Sequence, residues 1–199
     1  MKNTVYRFAV PYTFDGETYT EVDFAGAEKL KGKILHDAQL HAGRKSCDGL
    51  AFEKNLKIFA YLANAATGRS MEFFEDMDME DGMGAMAFFY DLLEREAEPV
   101  TNLSSMGIST STLMRAQEMI TYAANSACGM MAQNVGLCFA VYSVLTGKPL
   151  HEMVSGGVAD AYAILLEVRS LFFTQVLRKA KEAQAAMKAS EEAETSPSA

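Results

Sequence analysis

Apolar and polar positions follow two different rhythms along the chain. Near the N-terminus, Val5, Tyr6, Phe8 and Val10 form a β-rich run, and residues 18–24 form a second one of β-branched and aromatic side chains. Between them, Phe14-Asp15-Gly16-Glu17 holds an Asp-Gly pair, the chemistry of a two-residue hairpin turn. Pro11 marks an edge or a strand end, because it brings no N–H to a ladder. A lone two-stranded ribbon is marginal in water. The hairpin is therefore expected to cover one end of a helical core, with pairing to a second chain as the alternative.

From residue 26 the period becomes helical. Residues 26–42 predict one helix with Leu30, Ile34, Ala38 and His41 on one side and Gly32 as its weak point. A polar loop over 43–49 leads to a helix over 50–66, where Phe59, Leu62, Ala63 and Ala66 share a face. Thr67-Gly68 ends it, since glycine adopts the left-handed C′ conformation without a Cβ penalty and Arg69 lies near the last carbonyls. Residues 70–76 predict a short amphipathic turn, with Met71 and Phe74 inward and Glu72, Glu75 and Asp76 in water. Carboxylates over 78–81 then open a helix, solvated and favoured by its dipole, that presents Met79, Met83, Met86, Phe89, Tyr90 and Leu93.

The charged run 94–98 and Pro99 mark a boundary, followed by a polar linker over 101–105. Ser109 or Thr110 is the expected N-cap of a helix running to about residue 127, and Gly129 a break. Residues 130–145 are almost continuously apolar and are expected to be buried on more than one side. Gly147 closes that helix, and Pro149 opens a short turn. A long last helix runs from 158 to about 189, apolar in its first half and alanine-rich and charged in its second. The last ten residues are expected to be disordered.

One phrase returns. A shift of 79 residues carries Thr67-Gly68 onto Thr146-Gly147, Met71 onto Leu150, Phe74 onto Met153, Asp81 onto Asp160 and Leu92 onto Leu171, without a gap. Upstream it carries Phe24 onto Leu103, Ile34 onto Leu113, Leu35 onto Met114 and Asn55 onto Asn134. Identities are few, so either an old duplication or two similar α-hairpins accounts for the match. The expected fold class is mainly α, an N-terminal β-hairpin followed by a helical bundle, with two pseudo-repeated helical modules as an option. The corresponding divisions are 1–98 for hairpin plus first module, 99–178 for a second module, and 179–199 for a charged helical extension and tail.

Composition narrows the function. With 199 residues, 49% of them hydrophobic, the chain can bury a sizeable core. A net charge of -8 and the lack of a basic stripe argue against nucleic-acid binding. No apolar run is long enough for a signal peptide or a membrane span, so no membrane association and a cytoplasmic location are expected. Cys47, Cys128 and Cys138 are odd in number and scattered, which fits reduced thiols.

Catalytic signatures are missing: there is no GxSxG, and the glycines at 82, 84, 156 and 157 lack the lysine and strand of a phosphate loop. His36, His41 and Cys47 resemble a metal set but fall short of the ligands zinc requires, and the acidic run 72–81 does not keep the EF-hand register. Neither a metal, a cofactor nor enzymatic activity is expected. Methionine stands out instead. Five of the thirteen lie between Met71 and Met86. Unbranched thioethers repack against varied apolar shapes, so such a surface suits weak binding of many sequences, with core filling as the alternative.

The opening with Phe14-Asp15-Gly16-Glu17-Thr18-Tyr19-Thr20-Glu21, followed by Thr67, Gly68, Phe73, Asp81, Leu92 and Leu93 at their spacing, resembles the tail assembly chaperone family of long-tailed bacteriophages and related prophages. The resemblance covers residues 4–93 and extends more weakly over 101–172. Ser70 stands where that family usually has proline, Lys148-Pro149-Leu150 is closer to its pattern, and the long second half is the main departure. The resemblance implies a non-catalytic protein that coats the tape measure protein, recruits tail tube subunits in the bacterial host's cytoplasm, and is absent from the mature virion. Its partners would be the tape measure protein and the tail tube protein, with a homo-oligomer as a further option. Met71, Phe74, Met79, Met83 and Met86 are the expected client contacts. The alternatives are a structural virion component, such as a tail completion protein, and a small enzyme built around His36, His41 and Cys47.

Overall fold

The computed structural model describes residues 3–45, 51–119 and 134–195. The protein is mainly α, with an N-terminal antiparallel hairpin followed by helices. Strands β1 (Val5–Phe14) and β2 (Glu17–Asp23) are joined by Asp15 and Gly16, both at positive φ (50° and 79°), as a type I′ turn requires. The ladder is irregular between Arg7 and Tyr12. Pro11 therefore lies inside β1, in the stretch where pairing is already broken.

Among the described residues the helices are α1 (Lys33–Lys45), α2 (Ala51–Thr67), α3 (Met71–Glu75), α4 (Met79–Glu96), α5 (Thr110–Glu118), α6 (Val135–Thr146), α7 (Leu150–Ser155) and α8 (Val158–Thr195). The single helix expected over 26–42 is divided. A 3-10 turn, Ala25–Lys29, precedes α1, and between them Leu30 is extended. The break has a tertiary cause. The Leu30 carbonyl accepts the Val158 N–H (3.0 Å), and the Gly32 N–H donates to the Gly156 carbonyl (2.9 Å), tying the chain to the start of α8. A Cβ on Gly32 would overlap the Met153 carbonyl oxygen, so glycine there allows a close approach.

The 79-residue offset recurs as geometry. Gly68 and Gly147 both have φ 75° and donate their N–H groups to Asn64 and Ser143 carbonyls, each at 2.8 Å. Thr67 and Thr146 both turn their hydroxyls back to the carbonyl four residues earlier, each at 2.7 Å. Upstream, the Ala25 N–H meets the Asp23 carboxylate at 2.9 Å and the Ser104 N–H meets the Asn102 amide oxygen at 2.8 Å. Phe24 and Leu103, which follow those two acceptors, are both fully buried. In each half a long helix thus ends on glycine, a short helix follows, and a second long helix begins at Met79 or Val158.

The two halves build one continuous core. Helix α4 lies against α8, with Tyr90 and Tyr162 stacked at 5.2 Å. Helix α6 is buried on nearly every side, as its unbroken apolar run predicts. The stretch expected to be a polar linker is pinned: Leu103 is buried, its N–H donates to Glu167 (2.5 Å), and the Thr101 N–H donates to the Tyr142 hydroxyl (3.1 Å). Ser109 caps α5, while the expected continuation of that helix to residue 127 lies outside the described residues. Helix α8 reaches Thr195, so residues 190–195 are helical rather than disordered; 196–199 lie outside the described residues.

Candidate functional site

The hairpin docks on the corner formed by α3 and α4. Phe73 is the centre of the contact, with Tyr12, Phe14 and Tyr19 packed edge-on at 5.1, 5.4 and 5.1 Å between ring centroids. The Tyr12 hydroxyl donates to the Phe73 carbonyl (3.0 Å), and the Arg69 guanidinium lies 4.2 Å from the Tyr19 ring centre and 4.8 Å from that of Phe73. Ser70 holds α3 by accepting the Phe73 N–H at 3.2 Å. Phe74 faces the opposite way, into Phe24, Phe59 and the rest of the core.

Helix α4 completes the corner. Asp78 is its N-cap, with a carboxylate oxygen accepting the Asp81 N–H at 2.9 Å. Asp81 does not belong to a solvated helix start. It is 2% exposed, and one carboxylate oxygen accepts both the Tyr6 hydroxyl (3.1 Å) and the Ala9 N–H (2.9 Å). The irregular ladder of β1 leaves Ala9 in need of an acceptor, and α4 supplies it. Burial, followed by the hydrogen bond to Asp81, pushes the Tyr6 hydroxyl pKa up to about 12. A Cβ on Gly84 would overlap that hydroxyl, so this glycine lets Tyr6 reach the helix.

The expected contact residues separate into three environments. Phe74 is fully buried, which removes it from any surface available in the folded protein. Met71 and Met86 are half-buried and pack on the core. Met79 (72% exposed) and Met83 (48% exposed) are open to solvent. Met79, Met83, Met86 and Tyr90 follow a 4-3-4 spacing and form one stripe, separate from the face that buries Asp81, Ala85, Phe89 and Leu92. The stripe starts in water and ends under α8, where Tyr90 stacks on Tyr162. Exposed Asp76, Asp78 and Glu80 border its open end.

Elsewhere the reactive side chains occupy packing positions. Cys138 is buried on α6, and burial pushes its thiol pKa up to about 12, far from the thiolate a nucleophile needs. Burial also lowers the His36 pKa. The His41 ring lies 5.2 Å from Tyr61, and its Nε2 is buried with no hydrogen-bond partner among the described residues. Cys47 lies outside the described residues, among which no three His, Cys, Asp or Glu side chains converge as a metal set. A cleft of about 530 Å³ opens between the 3-10 turn and the facing ends of α4 and α8, lined by Glu28, Glu96, Glu98 and Asp160 over Phe24 and Leu93. Asp160 is engaged there, accepting the Glu98 N–H at 2.8 Å. Among the described residues no helix is long and apolar enough to cross a membrane.

Phe73, Arg69 and Asp81 are the residues that make this corner, and none was assigned its role from periodicity. One signal was available: adjacent Phe73-Phe74 in a short amphipathic segment can both be buried only if a second element covers them. The aromatic residues of the hairpin are that cover. No family model, curated protein or solved structure matches the chain.

Proposed function

We propose that the protein is a phage tail assembly chaperone, which holds the tape measure protein soluble and helps bring tail tube subunits to it. The observation that supports this reading is the open end of the α4 stripe, where Met79 and Met83 stand in solvent beside Asp76, Asp78 and Glu80. Flexible thioethers accommodate apolar side chains of varied shape, and the acidic border keeps the free protein soluble. Holding would come from many weak apolar contacts along a long client, and release from competition by the tail tube protein, without nucleotide hydrolysis. In this reading the protein acts in the cytoplasm of the bacterial host and leaves before the virion is complete. Met71 and Met86, half-buried beside the open pair, would join the contact as it forms.

The test is co-expression with the tape measure protein encoded in the same phage or prophage, followed by size-exclusion chromatography. A soluble complex with several copies per client is the expected result. Met79→Glu with Met83→Glu should return the client to the insoluble fraction while circular dichroism of the variant stays unchanged. Aggregated client with the protein left free would overturn the proposal. A soluble complex that tolerates both substitutions would move the contact away from α4.

A further inference from the structure

Helices α4 and α8 run antiparallel, because the end of α4 and the start of α8 line one cleft and Tyr90 stacks on Tyr162. Away from that stack both helices are uncovered in step. On α4, Met86 is half-buried, Met83 is 48% exposed and Met79 is 72% exposed; on α8, Leu166 is half-buried and Phe173 is 67% exposed. Met79 precedes Tyr90 by eleven residues and Phe173 follows Tyr162 by eleven, about three turns in each case. Both lie at one end of the molecule, on the helix faces that meet at the tyrosines, yet neither covers the other. Val176 and Leu177 extend the bare surface of α8.

The two bare surfaces carry opposite charge. Asp76, Asp78 and Glu80 border Met79, whereas Arg178, Lys179 and Lys181 follow Leu177, and all six are exposed. Among the described residues Arg178 pairs with Glu182 on its own helix (3.7 Å), and no ion pair joins the basic group to the acidic one.

The spacings match as well. Phe173 and Leu177 are four residues apart on α8, as Met79 and Met83 are on α4. Laid antiparallel with Phe173 on Met83 and Leu177 on Met79, α8 of one copy sets Arg178 opposite Asp78 and Ala180, between Lys179 and Lys181, opposite Asp76. Glu80 falls opposite Val176, within a turn of Lys179. A parallel alignment of the same apolar pairs carries the cations to the level of residues 84–87, where the sequence has no carboxylate. One register therefore satisfies the apolar and the ionic contacts together. We infer that the open end of α4 takes residues 173–181 of α8 from a second copy of this chain. Since each molecule presents both surfaces at the same end, the exchange is reciprocal and closes a dimer. It needs no client and does not rest on the chaperone reading, although a client held at Met79 and Met83 would compete with it.

Sedimentation velocity of the full chain over a concentration series tests this without any client. The expected result is a reversible equilibrium between the 21.7 kDa monomer and a species of twice that mass. Leu177→Glu should weaken association about tenfold or more, with helicity unchanged because the position is exposed in the monomer. Asp76→Lys with Glu80→Lys should weaken it, and so should Lys179→Glu with Lys181→Glu, because each double variant sets like charges across the contact. Mixing the two double variants in equal amounts should restore the dimer, since each surface then meets its opposite. A monomer at every concentration would overturn the inference. A dimer indifferent to either charge reversal, or a mixture that stays monomeric, would overturn the pairing of α8 with α4.

Discussion

Asp81 on α4 accepts the main-chain N–H of Ala9 on β1 at 2.9 Å, across 72 residues of sequence. Because the same oxygen also takes the Tyr6 hydroxyl, one buried carboxylate attaches the hairpin to the helical body at two points. The aromatic contact on Phe73 is made further along the hairpin, by Tyr12 and Phe14 of β1 and Tyr19 of β2, with Phe8 between it and Tyr6. Polar and apolar attachments therefore act together, and the hairpin does not have to be stable alone.

Removing the carboxylate should loosen the hairpin. Asp81→Ala leaves the Ala9 N–H and the Tyr6 hydroxyl without their acceptor, at a cost of about 2–3 kcal/mol in urea denaturation. Asp81→Asn retains one acceptor oxygen and should cost less. Equal losses for the two variants would show that the charge, and not the acceptor, matters. A loss below about 0.5 kcal/mol for Asp81→Ala would mean that water replaces the carboxylate without penalty.

Features set by local chemistry were legible in the sequence, and features set by distant partners were not. Asp15-Gly16, Gly68, Ser109 and Gly147 do what their turn and cap chemistry requires, because backbone conformation depends on neighbours within a few residues. The offset between Thr67-Gly68 and Thr146-Gly147 belongs to the same class. Leu103 looked like linker because its neighbours are polar, but it fills the place that Phe24 fills in the first half. Gly32 looked like a weak point of one helix, whereas the approach of Gly156 and Met153 makes it a break. In the candidate site, Met79 and Met83 keep an exposed helical face, while Phe74 shares their spacing region and belongs to the core. Helical periodicity groups residues by face without saying which face meets another element.

Gly32 offers a sharp packing test. In Gly32→Ala the new Cβ would overlap the Met153 carbonyl oxygen and stand 2.6 Å from the Ala161 Cβ, so the 3-10 turn and the start of α8 would have to separate. A destabilisation of about 2–4 kcal/mol is expected by thermal or urea unfolding. Gly107→Ala, where a Cβ meets nothing within 4 Å, serves as the control and should change stability by less than about 1 kcal/mol. Similar values for the two variants would contradict the close approach.

Gly68 and Gly147 test the equivalence of the two halves. Each has φ 75° and open space around its Cβ position, so alanine would be penalised by backbone conformation alone. Both Gly68→Ala and Gly147→Ala should cost about 1 kcal/mol, alike within error. A large difference would mean that the two caps differ in their surroundings despite matching hydrogen bonds.

Stability at alkaline pH should report on the attachment of Tyr6. Its hydroxyl has an ordinary pKa of 10.0 and a folded value raised to about 12, so the folded state holds this proton more tightly than the unfolded chain. The contribution is complete below pH 10 and is lost as pH rises through the folded value. Tyr12, Tyr19, Tyr90 and Tyr162 are also shifted upward, so the curve of the unmodified protein sums several groups. The difference between it and Tyr6→Phe isolates one of them. At neutral pH the variant should be the less stable by about 1.5–3 kcal/mol, for the loss of one hydrogen bond to a charged group. Between pH 10 and about 12 that gap should close, because ionisation of Tyr6 sets an anion against Asp81 in the unmodified protein while phenylalanine has no proton to lose. Urea denaturation at intervals of pH measures the gap directly. If it stays constant through the window, Tyr6 ionises equally in both states and the hairpin is held by Ala9 and the aromatic contact alone.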